Sequence, residues 1–157
     1  MTQIFRALSV GLCCVGAVLT TGCFGPGVPD IVPAGGIVTI NGTPLANVEV
    51  RFVPQHPGLD GNYVAKGVSD ADGKFNLVLP GKTESGVCAC AHRVIVLEGP
   101  MPDEAYGQSE AAQMLALKFM ATLKDRPLPK IYESLSESPL LITVVPDQRE
   151  YKLELTR

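Results

Sequence analysis

Gly36-Ile37-Val38-Thr39-Ile40-Asn41-Gly42-Thr43-Pro44-Leu45-Ala46-Asn47-Val48-Glu49-Val50-Arg51-Phe52-Val53-Pro54 is the stretch from which the fold is read. Ile37 to Ile40 are all β-branched, and such side chains suit the pleat of a strand. Asn41-Gly42 then supplies two residues that tolerate positive φ, the strongest short signal for a two-residue hairpin turn. From Val48 to Val53 the polarity alternates. Val48, Val50 and Phe52 share one face and Glu49 and Arg51 the other, the period of a strand with one buried side.

The same grammar continues outward. Tyr63 to Ser69 reads as a weaker strand. Asp70-Ala71-Asp72-Gly73 is turn chemistry, with carboxylates bonding nearby backbone and glycine taking positive φ. Phe75 to Leu79 resumes the sheet until Pro80-Gly81 stops it. His92 to Leu97 is the most apolar run, hence central. Leu140 to Val145 and Tyr151 to Leu155 close the chain, the last with Tyr151, Leu153 and Leu155 on one face. Composition agrees, because Gly 16 and Pro 13 in 157 residues are too many breakers for a helical bundle. Seven short strands separated by turns predict an all-β sandwich.

One stretch departs from that grammar. Ser109 to Lys124 is rich in helix formers and has no β-branched run. Ser109 caps it, Glu110 suits its first turn, Lys118, Lys124 and Arg126 suit its last, and Pro127 ends it. Leu115, Phe119 and Leu123 repeat at helical spacing, widened by Met114, Leu117 and Ala121. The spacing predicts an inserted α-helix near 109–124 that caps an open end or face of the sandwich. A docking face for a partner or a membrane is the sharper reading of the same stripe, and the few cations on its polar face disfavour the membrane.

The N-terminus is an address. Arg6 precedes an apolar stretch from Ala7 to Leu19, and Thr20-Thr21-Gly22-Cys23 follows. A basic start, a short apolar run and small residues describe a secretory signal. The cysteine after Gly22 makes it similar to a bacterial lipoprotein signal, with Thr20 where leucine is usual. That resemblance implies cleavage after residue 22 and lipidation of Cys23. Several acyl chains on one residue give stable attachment to a leaflet. Removing Arg6 alone from the basic set leaves 12 basic against 16 acidic side chains, a net −4. Such a domain needs its covalent anchor on an acidic lipid surface. The Gly- and Pro-rich residues after Cys23 read as a tether, giving three expected parts: signal 1–22, tether 23–33 and a domain over 34–157. The expected localisation is the cell envelope, exported and lipid-anchored.

Four matches suggest a family. Gly36 to Pro54, with its N-G-T-P-L and V-E-V-R-F-V-P, resembles the opening of carboxypeptidase regulatory-like domains. Ser69-Asp70-Ala71-Asp72-Gly73-Lys74-Phe75 is similar to their turn, and Gly86 to Val96 to a later strand. Leu128 to Tyr132, Ser138-Pro139-Leu140 and the final Tyr151 to Leu155 look like the C-terminal part of small envelope lipoproteins carrying this domain. The resemblance implies a seven-stranded Greek-key β-sandwich of the transthyretin-like or Ig-like kind. It implies a non-catalytic accessory or binding module, not an enzyme, with no cofactor. Only Gly42, Pro44, Gly73 and Phe75 carry over, as structural positions. The implied partners are the membrane through the anchor, and an envelope protein or polysaccharide.

Chemistry-bearing residues are few. Cys13 and Cys14 fall in the signal. Cys88-Ala89-Cys90-Ala91-His92 would place Cys88, Cys90 and His92 on one strand face. Soft ligands of this kind suit Cu(I) or Zn(II), though a fourth would have to come from elsewhere, from His56 or a carboxylate. A Cys88–Cys90 disulfide and buried thiols are the other readings. The alternative function is therefore a periplasmic metal-binding or thiol-redox protein. Asp70-x-Asp72-Gly73 lacks the spacing of a calcium loop. No G-x-S-x-G elbow, P-loop or G-x-G-x-x-G occurs, and His56 and His92 do not match an iron dioxygenase pattern. The balance of 13 basic against 16 acidic residues argues against a nucleic-acid partner.

Overall fold

The computed structural model describes residues 27–81 and 85–157. The expected signal 1–22 with Cys13 and Cys14, and the expected lipidation site Cys23, lie outside the described residues. Those residues form ten strands in three sheets and one α-helix, with no closed barrel. The strands are β1 (Ile31–Val32), β2 (Gly35–Ile40), β3 (Thr43–Pro44), β4 (Val48–Pro54), β5 (Ala65–Val68) and β6 (Lys74–Asn76). They continue with β7 (Val87–Cys88), β8 (Ala91–Glu98), β9 (Leu141–Thr143) and β10 (Glu150–Leu155); the helix α1 is Glu110–Thr122. The seven expected strands are β2, β4, β5, β6, β8, β9 and β10. The additional three have two residues each, too short to leave a polarity pattern.

The turns form for the reasons their residues suggest. Asn41 and Gly42 adopt φ of 49° and 79°. Both central residues are thus left-handed, as a type I′ hairpin requires. Asp70 Oδ1 accepts from the amides of Asp72 and Lys74, each at 2.9 Å, and Gly73 follows at φ 74°.

Two four-stranded sheets supply one core. One has the order β5-β4-β8-β9, and β8 is an inner strand as its apolar run predicts. The other is built on β2, which pairs with β10 in parallel and with β3 and β6 antiparallel. Phe52 of the first sheet meets Phe75 and Tyr151 of the second at ring-centroid distances of 6.4 and 6.3 Å. Val38, Ile40, Val48, Val50, Val94, Val96, Leu153 and Leu155 complete this layer, all essentially inaccessible. Burying each such side chain stabilises the fold by about 1.5–3 kcal/mol. Backbone bonds between Lys66 and Val78, 2.9 Å in each direction, join the sheets at one edge. A two-stranded sheet of β1 and β7 completes the set.

Strand β1 falls within residues 23–33. Ile31 and Val32 were expected in the tether, yet they pair with Cys88 and Val87. Asp30 O also accepts from the Ala89 amide at 2.8 Å. The apolar pair Ile31-Val32 packs on the core, which a free tether would leave in water.

The helix corrects a second expectation. Ser109 does cap α1, its Oγ accepting from the Ala112 amide at 3.2 Å. But α1 does not cap the sandwich. Only Ala112 of the helix is buried, while Leu117 and Met114 are 68% and 49% exposed. The core is completed instead by Leu128 and Tyr132, which follow the helix and are nearly inaccessible. The last turn of α1 also holds no basic residue. Arg126 faces back to the sheet: its Nη2 donates to Ala46 O and Asn47 O at 2.8 and 3.0 Å, and its Nε pairs with Glu98.

Candidate functional site

The Cys-x-Cys-x-His stretch does not keep the strand geometry its spacing suggests. Strand β7 ends at Cys88 and β8 begins at Ala91. Between them the Cys90 amide donates back to Cys88 O at 2.9 Å. That three-residue turn, Cys88 to Cys90, interrupts the strand, so Cys88, Cys90 and His92 are not successive alternate positions of one continuous strand. Cys88 and His92 are fully buried, and Cys90 is half-buried.

The chemistry of this corner is subdued. His92 Nδ1 lies 2.9 Å from Cys90 O, and a carbonyl only accepts, so Nδ1 carries the proton of a neutral ring. Burial pushes the His92 pKa down, against a smaller upward effect of that backbone bond. Cys90 Sγ is 3.8 Å from Nε2 and 3.9 Å from Nδ1. Being nearly equidistant, the sulfur is not aligned with either nitrogen, as a thiolate–imidazolium pair would require. Burial first, and then the neighbouring Cys88 thiol, push Cys90 up to about 11. A reactive cysteine needs a shift in the other direction. Both cysteines carry thiols in this structure. A Cys-x-Cys ring would have to close across a single residue, where disulfide geometry is strained.

Among the described residues, no group of three or more His, Cys, Asp or Glu side chains could hold a metal ion. His56 sits half-buried in the loop after β4 with its Nδ1 unpartnered. The Asp70 turn uses its carboxylate on its own backbone amides, as a turn rather than as a calcium loop.

A second site has no local signature. On the sheet built around β2 an open groove of about 790 Å³ runs along β2 between β6 and β10. Its walls come from three distant segments, 33–37, 70–78 and 149–152, with Ser85 at the rim. Gly35 and Gly36 form part of its floor. A Cβ at Gly36 would fall 1.8 Å from Tyr151 O, and one at Gly35 would fall 2.4 Å from Phe75 O. Only glycine lets the three backbones approach this closely.

The register decides which side chains face the groove. Ile37 lies opposite Lys152 on one side and Lys74 on the other. Gly35 lies opposite Glu150 and Asn76 in the next row outward. Tyr151 and Phe75, the intervening residues, point into the core and are almost inaccessible. Arg149 adds a third cation and Asp70 a second carboxylate. Among the described residues, Lys74, Lys152 and Arg149 make no ion pair. Sequence reasoning missed this site because strand pairing alone assembles it. The parallel β2–β10 alignment is the decisive step, and nothing in either strand's pattern specifies its partner.

Compared with protein-family models, curated proteins and solved structures, the chain matches none.

Proposed function

We propose that this chain is an exported lipoprotein, anchored through Cys23, whose folded domain is a non-catalytic binding or scaffolding module of the cell envelope. Residues 1–22 are its signal, and a short Gly/Pro segment from Phe24 to Pro29 is its tether. Its domain is a Greek-key sandwich of the transthyretin-like kind, with β2, β4, β5, β6, β8, β9 and β10 as the seven principal strands. The anchor rests on the order of Arg6, the apolar run and Gly22-Cys23. The binding role rests on the open groove over β2, whose volume lies in the range of small-ligand sites. The thiol-redox alternative has the raised Cys90 pKa against it.

The test is an intact mass of the protein extracted from its native membrane, taken with and without reductant. A mass starting at Cys23 with three acyl chains is expected. An unacylated mass overturns the anchor. Bound metal lost on replacing Cys88 and Cys90 with serine would overturn the binding-module reading in favour of the alternative.

A further inference from the structure

We propose that the groove over β2 binds an acidic polysaccharide, holding its carboxylates between Lys74 and Lys152. The inference rests on the binding-module reading and names its ligand class. Three observations carry it.

The first is the placement of charge. Lys74 and Lys152 flank Ile37 from opposite sides, in the same row of the sheet. Two strand spacings separate them, so their Cα atoms lie roughly 10 Å apart. Both exposed ammonium groups border the same apolar residue, so an anion laid over Ile37 is flanked by a cation on each side. Arg149 lines the same groove, which with Asp70 and Glu150 sets three cations against two carboxylates, a local excess of positive charge on a chain that is net −3. That local excess is the charge feature that favours an anionic ligand in the groove.

The second is the character of the floor. Gly35 and Gly36 leave part of the groove lined with backbone, and Asn76 and Ser85 add hydrogen-bonding groups. Hydroxyl-rich ligands are read by such groups. The third is what the groove lacks in aromatic surface. Its two aromatic residues, Phe75 and Tyr151, are turned into the core. A stacking platform for a neutral sugar is therefore not what the groove presents, and charge is left to select the ligand. An acidic peptide would want pockets for its side chains, and this floor is glycine backbone with the single side chain of Ile37 between the lysines.

The experiment titrates the full acylated protein, in non-ionic detergent, with polygalacturonate. Dextran and poly-glutamate serve as the neutral and the peptide comparisons. Polygalacturonate should bind, and added salt should weaken it. The Lys74→Glu/Lys152→Glu variant should bind about tenfold more weakly, while Lys118→Glu on α1 should not change binding. Both groove lysines are exposed, so the variant should keep its circular dichroism. If it does not, Lys74→Gln/Lys152→Gln takes its place and should show a smaller loss. Equal binding of poly-glutamate or dextran would overturn the ligand class. Binding of polygalacturonate that survives both variants would overturn the site. An acylated, folded protein that binds none of the three overturns this inference and leaves the anchored-lipoprotein reading intact.

Discussion

Single residues carry the sharpest consequences at the Cys90–His92 corner. His92 is neutral and buried, and burial lowers its pKa below the ordinary 6.5. The unfolded chain therefore binds a proton on this ring at a higher pH than the folded protein does. Stability from this group is complete above 6.5 and is lost as the pH falls below that value toward the folded pKa. Denaturant unfolding between pH 7 and 5 should show the decline. His92→Phe, whose ring can pack on Phe52 as the imidazole does at 5.7 Å, should show a shallower one. An identical slope in the variant would assign the pH dependence to other groups. Cys90 behaves in the opposite sense: its thiol titrates near 11 rather than 9, so at pH 8 its thiolate is about a hundredfold scarcer than that of an ordinary cysteine. Iodoacetamide should label the native protein correspondingly slowly and the denatured protein at the ordinary rate. Fast native labelling would contradict the half-buried environment described for Cys90. The sequence showed that these residues were close along the chain. It did not show the turn at 89–90, because that turn is set by pairing with β1 and not by a Gly-Pro signal.

Among the elements, β2 and α1 behave as opposites. Strand β2 is bonded along both edges, to β10 on one side and to β6 and β3 on the other. Gly36 sits where β10 comes nearest, and Gly36→Ala would push a methyl into Tyr151 O. The two strands must part to admit it, and we expect a loss of more than about 3 kcal/mol, at the severe end of single substitutions. Urea unfolding measures this, and a change below about 1 kcal/mol would contradict the described β2–β10 pairing. Helix α1 sits against little beyond the 103–105 turn. Ser109→Ala removes its cap and should cost the helix about 1 kcal/mol. Because the sheets do not lean on α1, that loss should appear as faster amide exchange in 110–122 and leave the global midpoint unmoved. The amphipathic stripe of α1 was legible in the sequence, and so were the cap and Pro127. Whether that stripe would meet the core was not legible. Leu128 and Tyr132 compete for the same apolar environment, and a helical period does not say which segment reaches it first.

At the scale of the molecule, the strands were readable and their assembly was not. Period-two alternation identified β4 and β10, and Asn41-Gly42 identified the hairpin, because these are local properties of a few residues. The parallel return of β10 to β2 joins segments more than a hundred residues apart, and the groove exists only after that return. The topology makes two deletions informative together. Strand β10 brings Tyr151, Leu153 and Leu155 to the core, all nearly inaccessible. At about 1.5–3 kcal/mol each, their loss removes an amount comparable with the whole stability of roughly 5–15 kcal/mol of a typical domain. A chain ending at Arg149 should therefore fail to give a cooperative thermal transition. Replacing Glu110–Thr122 by a Gly/Ser linker of equal length removes more residues but only one buried side chain, Ala112. Its cost is confined to the entropy of a flexible loop, which grows slowly with length. That protein should still melt cooperatively, within a few degrees of the parent. Calorimetry of the two variants side by side decides the matter: if the linker variant unfolds and the truncated chain does not, the core has been placed on the wrong elements.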